Sequence, residues 1–293
     1  MSIKDHALIV SLTVGKAQMT KTDGKATNAA EQATNAHNAG QYRKDLYPKH
    51  LTQPIKAVET SARYYIERTT YAWGRGEYLL PTARFMEFAE QIEKFKLQFD
   101  QSVTAFLQNW INVLDQARQQ QGDLFNELDY PDVSELRGRF KFEINYKAVP
   151  DYGDFRVDLQ EEELAMLRQR VEQQTKDATE QVLRAPLERL REVVAKLNEV
   201  CKKDDRVVTN ARTGKEEVKP PIFRDSVVDN IAQEINLLYD FADIMPSEVQ
   251  QLNSDIAHSL PDADVIRTNS DARKNVAEKT DDLLDKINNM LEM

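Results

Sequence analysis

The amino-acid sequence predicts a mainly α protein. Its expected form is a long antiparallel, coiled-coil-like helical hairpin with a small antiparallel β element (α+β), followed by a C-terminal helical subdomain. Three observations lead there. Long segments place apolar residues three and four positions apart, the period of one helix face. Charged residues make up 30% of the 293, with only 9 Gly and 10 Pro, a balance that suits solvated helices better than a turn-rich sheet protein. The stretch Gly122–Leu159 is the one long segment that does not read as a helix, and it lies between two that do.

Taken in order, Ala7–Val14 (ALIVSLTV) is rich in β-branched residues and ends at Gly15, which suits a strand. A basic tail with Lys16, Lys21 and Lys25 follows. Ala26–Gly40 is Ala/Asn/Thr-rich without a large apolar residue, so it reads as a flexible linker or a marginal helix with no wide buried face. Either it is a surface loop or it is an arm that orders on a partner. From Leu51 an apolar face (Leu51, Ile55, Val58, Ala62, Tyr65/Ile66) predicts a helix that ends at Trp73-Gly74-Arg75-Gly76, where two glycines break it.

Pro81-Thr82 opens the strongest helical pattern. Phe85, Phe88, Ile92, Phe95, Phe99, Val103, Phe106, Trp110, Val113 and Ala117 are three or four residues apart, close to a heptad seam. A helix from Thr82 to Gln119 would be ~57 Å long at 1.5 Å per residue. Its aromatic seam calls for more than one partner helix. Gly122 ends it.

Within Gly122–Leu159, Arg139–Tyr146 alternates strictly, with Phe140, Phe142, Ile144 and Tyr146 on one face. Strands are therefore expected near 7–14, 139–147 and 155–159, with the N-terminal strand pairing onto the central one. From Glu161 to Val200 the chain is helical again, antiparallel to the 82–119 helix, with a kink or split at Pro186. Lys202–Pro221 reads as a loop. Helices follow at Asp225–Ala242, Ser247–Leu260 (Ser247 and Gln250 forming a capping box) and Ser270–Leu291. These elements group into a hairpin domain with its β element at 1–219 and a helical subdomain at 220–293.

The formal charge of −10 argues against wholesale binding to DNA, RNA or anionic lipid. The charge is uneven: residues 1–80 hold 11 Lys/Arg against 7 Asp/Glu, and the remainder 28 against 42. Any polyanion contact is therefore expected near the N-terminus. Arg63–Tyr78 interleaves guanidinium groups with aromatic rings, the composition of a single-stranded nucleic-acid platform and equally of amphipathic rings packed at a helix end. The candidate nucleic-acid contacts are Lys16, Lys21, Lys25, Arg63, Arg68, Tyr71, Trp73 and Arg75.

The single Cys201 excludes an intramolecular disulfide, falls at an apolar helical position and fits a reducing cytoplasm. No signal peptide and no ~20-residue apolar span is expected. The four His residues lack metal-ligand spacing, and Val14-Gly15-Lys16 lacks the glycine and Ser/Thr of a phosphate loop. No catalytic residue, metal or cofactor is therefore expected. Asp151, Tyr152, Asp154 and Arg156, at the turn between the central strands, form a candidate partner surface.

Several blocks together resemble a bacteriophage-associated protein family found near MoxR/cobaltochelatase-like AAA+ ATPase and von Willebrand A-type genes. They are the early LTV strand, Tyr42–Pro48 (YRKDLYP), Ala62–Trp73 (ARYYIERTTYAW), Gly122–Pro131 (GDLFNELDYP), Arg139–Leu159 and Phe223–Asn230 (FRDSVVDN). The resemblance implies no enzyme motif. It implies a non-enzymatic adaptor or accessory role beside an AAA+ ATPase, in the cytoplasm of a bacterial host. The residues themselves leave open two alternatives: a single-stranded nucleic-acid-binding or recombination accessory protein, and a self-assembling, homo-oligomeric structural protein.

Overall fold

A computed structural model of the chain describes residues 3–150, 161–203, 205–209, 216–221, 224, 226–259 and 261–292. The return strand expected at 155–159 and the surface expected at Asp151, Tyr152, Asp154 and Arg156 lie outside the described residues. The element order is α1 (Ile3–His6), β1 (Ala7–Gly15), β2 (Thr20–Thr22), α2 (Gly24–Thr34), β3 (Arg43–Asp45), α3 (Lys49–Thr69), β4 (Tyr71–Gly74), β5 (Glu77–Pro81), α4 (Phe85–Gln108), α5 (Trp110–Gln121), α6 (Val133–Arg139), β6 (Lys141–Ala148), α7 (Glu161–Cys201), β7 (Arg206–Thr209), β8 (Glu216–Lys219), α8 (Ser226–Asp240), α9 (Ser247–Ser259), α10 (Ala263–Thr268) and α11 (Ser270–Glu292). The protein is thus mainly helical with a small β component. The largest sheet has strand order β4-β5-β1-β6, so the N-terminal strand does lie next to the central one.

The chain divides into two compact units. The first comprises Met1–Ile9, Thr69–Arg84 and Lys147–Met293, and the second Val10–Arg68 and Phe85–Tyr146. The division therefore falls within β1 and β6, and residues 147–293 group together rather than separating at 219/220.

In the first unit the core forms around α7. Val182, Leu187, Leu190, Val194, Leu197 and Cys201 are buried on one face. Against them lie Val276, Leu283 and Ile287 of α11, Ile231, Ile235 and Leu238 of α8, and Tyr71, Trp73 and Leu79 of β4 and β5. Polar contacts show the direction of α11. Asp205, just beyond α7, bonds Arg273 at 2.5 Å, Lys202 bonds Asp281 at 2.7 Å, and Arg184 donates to the Leu291 carbonyl at 3.0 Å. The two helices are antiparallel. The buried Asn198 sets their register by donating to the Ala277 carbonyl (3.0 Å), Thr280 Oγ1 (2.8 Å) and Asp281 Oδ1 (3.0 Å).

In the second unit α3, α4, α5 and α6 bury Ile55, Ala62, Ile66, Phe88, Ile92, Phe99, Val103, Phe106, Val113 and Leu136. Phe99 meets Phe142 of β6 with ring centroids 5.5 Å apart. Gly15 lets β1 pass close to the start of β6: a Cβ there would come within 2.9 Å of the Arg139 carbonyl oxygen.

Several expectations are corrected. The helix from Leu51 stops at Thr69, and Trp73–Gly76 belongs to a β-hairpin, with Tyr71 opposite Leu79 and Ala72 opposite Tyr78. Gly76 (φ 76°) supplies the turn, so the glycines end a strand rather than a helix. The 82–119 helix is interrupted at Asn109, whose amide bonds the Ala105 carbonyl one turn back, a local competitor for the helix ladder. Of the kink or split expected at Pro186, the split is excluded: α7 is one continuous helix there, since a proline forfeits one backbone bond on a helix held by its buried face. Its antiparallel partner within the first unit is α11, where the sequence suggests 82–119. The 202–221 loop contains the antiparallel pair β7–β8, Arg206 opposite Lys219 through Thr209 opposite Glu216. At α9 the Gln250 amide donates to the Ala242 (2.8 Å) and Met245 (3.0 Å) carbonyls, locking the preceding turn instead of completing a capping box. Ala26–Gly40 resolves in favour of the marginal helix: α2 buries no residue and starts at Asp23, whose side chain accepts from the Ala26 N–H at 3.0 Å.

Deleting residues 1–15 removes the strand that, among the described residues, neighbours β6 in the sheet. Amide hydrogen exchange should show protection lost across β6 and reduced across β5; unchanged protection in both would contradict this placement.

Candidate functional site

The most built-up polar arrangement lies in the second unit, where 42–50 meets 116–131. Tyr42–Pro48 and Gly122–Pro131 touch there. β3 places Lys44 with its side chain 4% exposed, and the ammonium uses all three of its donors. Nζ lies 3.0 Å from Asp23 Oδ2 and 2.8 Å from Asp129 Oδ2, and it also donates to the Leu124 carbonyl. Lys21 bonds the other oxygen of Asp129 at 2.6 Å. Two ammonium groups thus neutralise two carboxylates. Beside them the Gln121 amide donates to the Asp45 carbonyl and the Tyr130 hydroxyl, each at 2.8 Å, and Tyr130 donates to the Leu46 carbonyl at 2.8 Å. Rings close the arrangement: Tyr47 sits 5.5 Å from Phe106 and 5.8 Å from both Trp110 and Tyr130.

The titration behaviour of this cluster identifies it as a clamp. Burial works against charge at Lys44, but its bonds to Asp129 and Asp23 win and hold its pKa above the ordinary lysine value. Burial likewise works against charge at Asp129, and the bonds from Lys21 and Lys44 overcome it and hold the carboxyl below its usual range. Asp23 is lowered by the Ala26 N–H and by Lys44. A lysine that stays protonated is neither a nucleophile nor a base, and carboxylates that stay ionised are poor proton donors near neutral pH. The cluster ties the 16–46 arm to the 122–130 segment.

Next to the clamp is an open groove of about 670 Å³ lined by Asp45, Pro48, Lys49, His50, Gln116, Gln119 and Gln120. Its Lys49 and Asp45 pair at 3.3 Å. The remaining amides and imidazole offer hydrogen bonds, with no nucleophile beside a base among the lining residues.

The sequence-predicted contacts divide between the units. Lys16, Lys21, Lys25, Arg63 and Arg68 lie in the second; Tyr71, Trp73 and Arg75 lie in the first. Lys16 and Arg63 do converge, but on Glu59, at 2.5 and 3.2 Å, whose carboxylate offsets one of their two charges. Lys21 is taken by Asp129. Arg68 lies 6.0 Å from the Tyr64 ring centroid, and Lys25 and Arg75 are exposed. Tyr71 and Trp73 are 0% and 7% exposed, so neither ring presents a face on which a base can stack. Tyr71 instead packs on Phe241 (4.8 Å between centroids) beneath the Arg189 guanidinium (4.8 Å). Burial also raises the Cys201 thiol pKa to about 11, which keeps it a neutral core group.

The sequence does not mark the first half of α7 as a surface, but the structure does. Arg184 is level with the end of α11, so about 20 residues of α7 project beyond that partner, ~30 Å at 1.5 Å per residue. From Leu164 to Gln181 no side chain is buried; Leu164, Leu167 and Val171 stay half-buried in a line. Among the described residues no helix is long and apolar enough to cross a membrane, and no group of three or more His, Cys, Asp or Glu is arranged to hold a metal ion. Comparison with protein-family models, curated proteins and solved structures finds no match to this chain.

Two measurements check the clamp. Lys44→Met keeps the stem but removes the counter-charge that Asp23 and Asp129 share, and should lower the urea midpoint. In the native chain, the depressed pKa values of Asp23 and Asp129 give stability that is complete above the unfolded carboxylate value of ~4 and is lost as pH falls through the lowered folded values. The raised Lys44 gives stability complete below ~10.4 and lost as pH rises through its folded value. Urea midpoints should therefore be flat across neutral pH and fall on both sides, and Lys44→Met should lessen the alkaline fall, leaving the part that the raised Tyr47, Tyr130 and Cys201 produce.

Proposed function

We propose that this chain is a non-enzymatic interaction protein, an adaptor or accessory to an AAA+ ATPase acting in the cytoplasm of a bacterial host, and that it engages its partner through the projecting half of α7. The observation that carries this reading is the line Leu164, Leu167 and Val171 on a helix segment none of whose side chains from 164 to 181 is buried. A helix segment with this little tertiary cover is marginal in water, so covering its stripe with a partner stabilises both. The identity of that partner as an AAA+ ATPase rests on the family resemblance alone.

The charge distribution supports a protein partner over a nucleic acid. The second unit holds 15 Lys/Arg against 16 Asp/Glu, and the first 24 against 33, so neither carries a basic excess. The nucleic-acid alternative also loses its stacking rings to the core. Self-assembly remains the reading to which a result without any partner protein would point.

The test is co-purification with the AAA+ ATPase and its ATP turnover. Recovery of the complex is expected, together with at least tenfold weaker binding for Leu167→Lys/Val171→Lys at unchanged Tm, since both positions lie outside the core. No recovery and no effect on turnover would overturn the proposal, and light scattering of the chain alone would then measure self-association.

A further inference from the structure

The half-buried line of Leu164, Leu167 and Val171 continues past the projecting part of α7. Thr175, Ala178, Val182 and Ala185 follow at three- and four-residue steps, so all seven lie along one side of the helix. Val182 is buried in the core, and Ala178 and Ala185 pack partly against it. At Ala185 the line enters an open groove of about 660 Å³ beside Ala72 of the β4–β5 hairpin. The uncovered apolar side and the groove are thus one continuous surface of the first unit.

The groove is acidic. Asp177, Glu180, Glu188 and Glu192 line it, against Arg184 and Arg189. Arg189 is drawn inward: it donates to the Thr70 carbonyl at 3.0 Å and lies 3.9 Å from Glu234, whose side chain is 5% exposed. Arg184 donates to the Leu291 carbonyl. Glu180 is met by Lys176 at 4.0 Å. Glu188 and Glu192 are exposed and form no ion pair among the described residues. They stand four apart on α7, where like charges repel, and a cation placed between them relieves that repulsion.

We propose, resting on the reading that α7 presents its projecting half to a partner, that the segment which docks there is a basic amphipathic helix of the partner protein. Its apolar side covers Leu164, Leu167, Val171 and Ala178, and Lys or Arg side chains at one end enter the groove and meet Glu188 and Glu192. Two features lead to that chemistry. The apolar residues recur at the period of a helix, so a partner helix matches them turn for turn over ~21 Å from Leu164 to Ala178, at 1.5 Å per residue. The carboxylates stand at one end of the line alone, so they select positive charge and, with it, the direction of docking.

The experiment titrates two synthetic peptides into the full chain. Both carry Leu at alternating three- and four-residue steps over ~15 residues, enough to span that length. One ends in a run of Lys and the other in a run of Glu. The Lys peptide is expected to bind saturably and to shift the methyl resonances of Leu164, Leu167 and Val171, with the Glu peptide at least tenfold weaker. Glu188→Lys/Glu192→Lys should weaken the Lys peptide at least tenfold. Glu278→Lys/Asp282→Lys, the same charge change at exposed positions of α11, should leave it within twofold. Binding of neither peptide, equal binding of both, or equal weakening by the two variant pairs would overturn the proposal, the last because it shows attraction to net charge alone. Should the Lys variants fail to fold, Glu188→Gln/Glu192→Gln against Glu278→Gln/Asp282→Gln makes the same comparison. The adaptor reading fails separately. An ATPase complex lost with Leu167→Lys/Val171→Lys but unaffected by Glu188→Lys/Glu192→Lys keeps that reading and overturns this inference. Lys-peptide binding without recovery of the ATPase supports this inference and overturns the ATPase as partner. Self-association in light scattering that Leu167→Lys/Val171→Lys abolishes would assign the surface to a second copy and overturn the proposal.

Discussion

A helix of 41 residues is stable in water only where its apolar face is covered, and the first unit is arranged by that requirement. α7 offers a buried face from Val182 to Cys201, wider than a two-stranded seam needs. α11, α8 and the β4–β5 hairpin each take part of it. Burial alone would tolerate sliding of α11 along α7, because Val, Leu and Ile are nearly interchangeable as packing partners over one turn. Asn198 removes that freedom. Its amide meets the backbone and side chains of Ala277, Thr280 and Asp281 in one register only, and any slip would leave a polar group unpaired in the core. Apolar burial provides the driving force and one amide provides the alignment.

The second unit solves a different problem. Its 16–46 arm has little to bury: α2 contributes no buried side chain, and β2 and β3 form a separate two-stranded sheet. Such a ribbon is marginal by itself. Lys44 compensates by carrying a charge inward and meeting Asp23, Asp129 and the Leu124 carbonyl there, with Leu46 and Tyr47 packed alongside. The same neutralisation removes these groups from chemistry.

The helices of the C-terminal region were legible because period and punctuation coincide there: Val227, Ile231, Ile235 and Leu238 repeat on one face, and Pro246 and Ser247 mark the next start. The two strands that alternate cleanly, 7–14 and 139–147, were legible for the same reason, including their adjacency. The strand at Tyr71 and Trp73 was missed because they continue an aromatic, arginine-rich segment whose helical spacing runs on from Leu51; of the two roles open to their rings, packing is the one that burial favours, and composition does not carry burial. The choice of α11 as partner for α7 was invisible, since the aromatic seam at 85–117 is an equally good partner by period alone. The clamp was hidden for a related reason. Lys21 and Lys44 look like surface charge until the fold brings Asp129 to them, and the sequence gives no means of ranking partners that far apart.

The interleaving of the two units bears on how the chain is made. The backbone passes between them after Ile9, Arg68, Arg84 and Tyr146, so neither is a contiguous segment. The first unit assembles Ala7 and Ile9 with residues from Tyr71 to Leu79 and from Val149 to Ile287. On the ribosome its N-terminal residues and the β4–β5 hairpin emerge long before α11, which completes the cover of α7. The second unit is fully synthesised at Tyr146 and can fold during translation; the first must wait, with its hydrophobic residues exposed, until α11 is available.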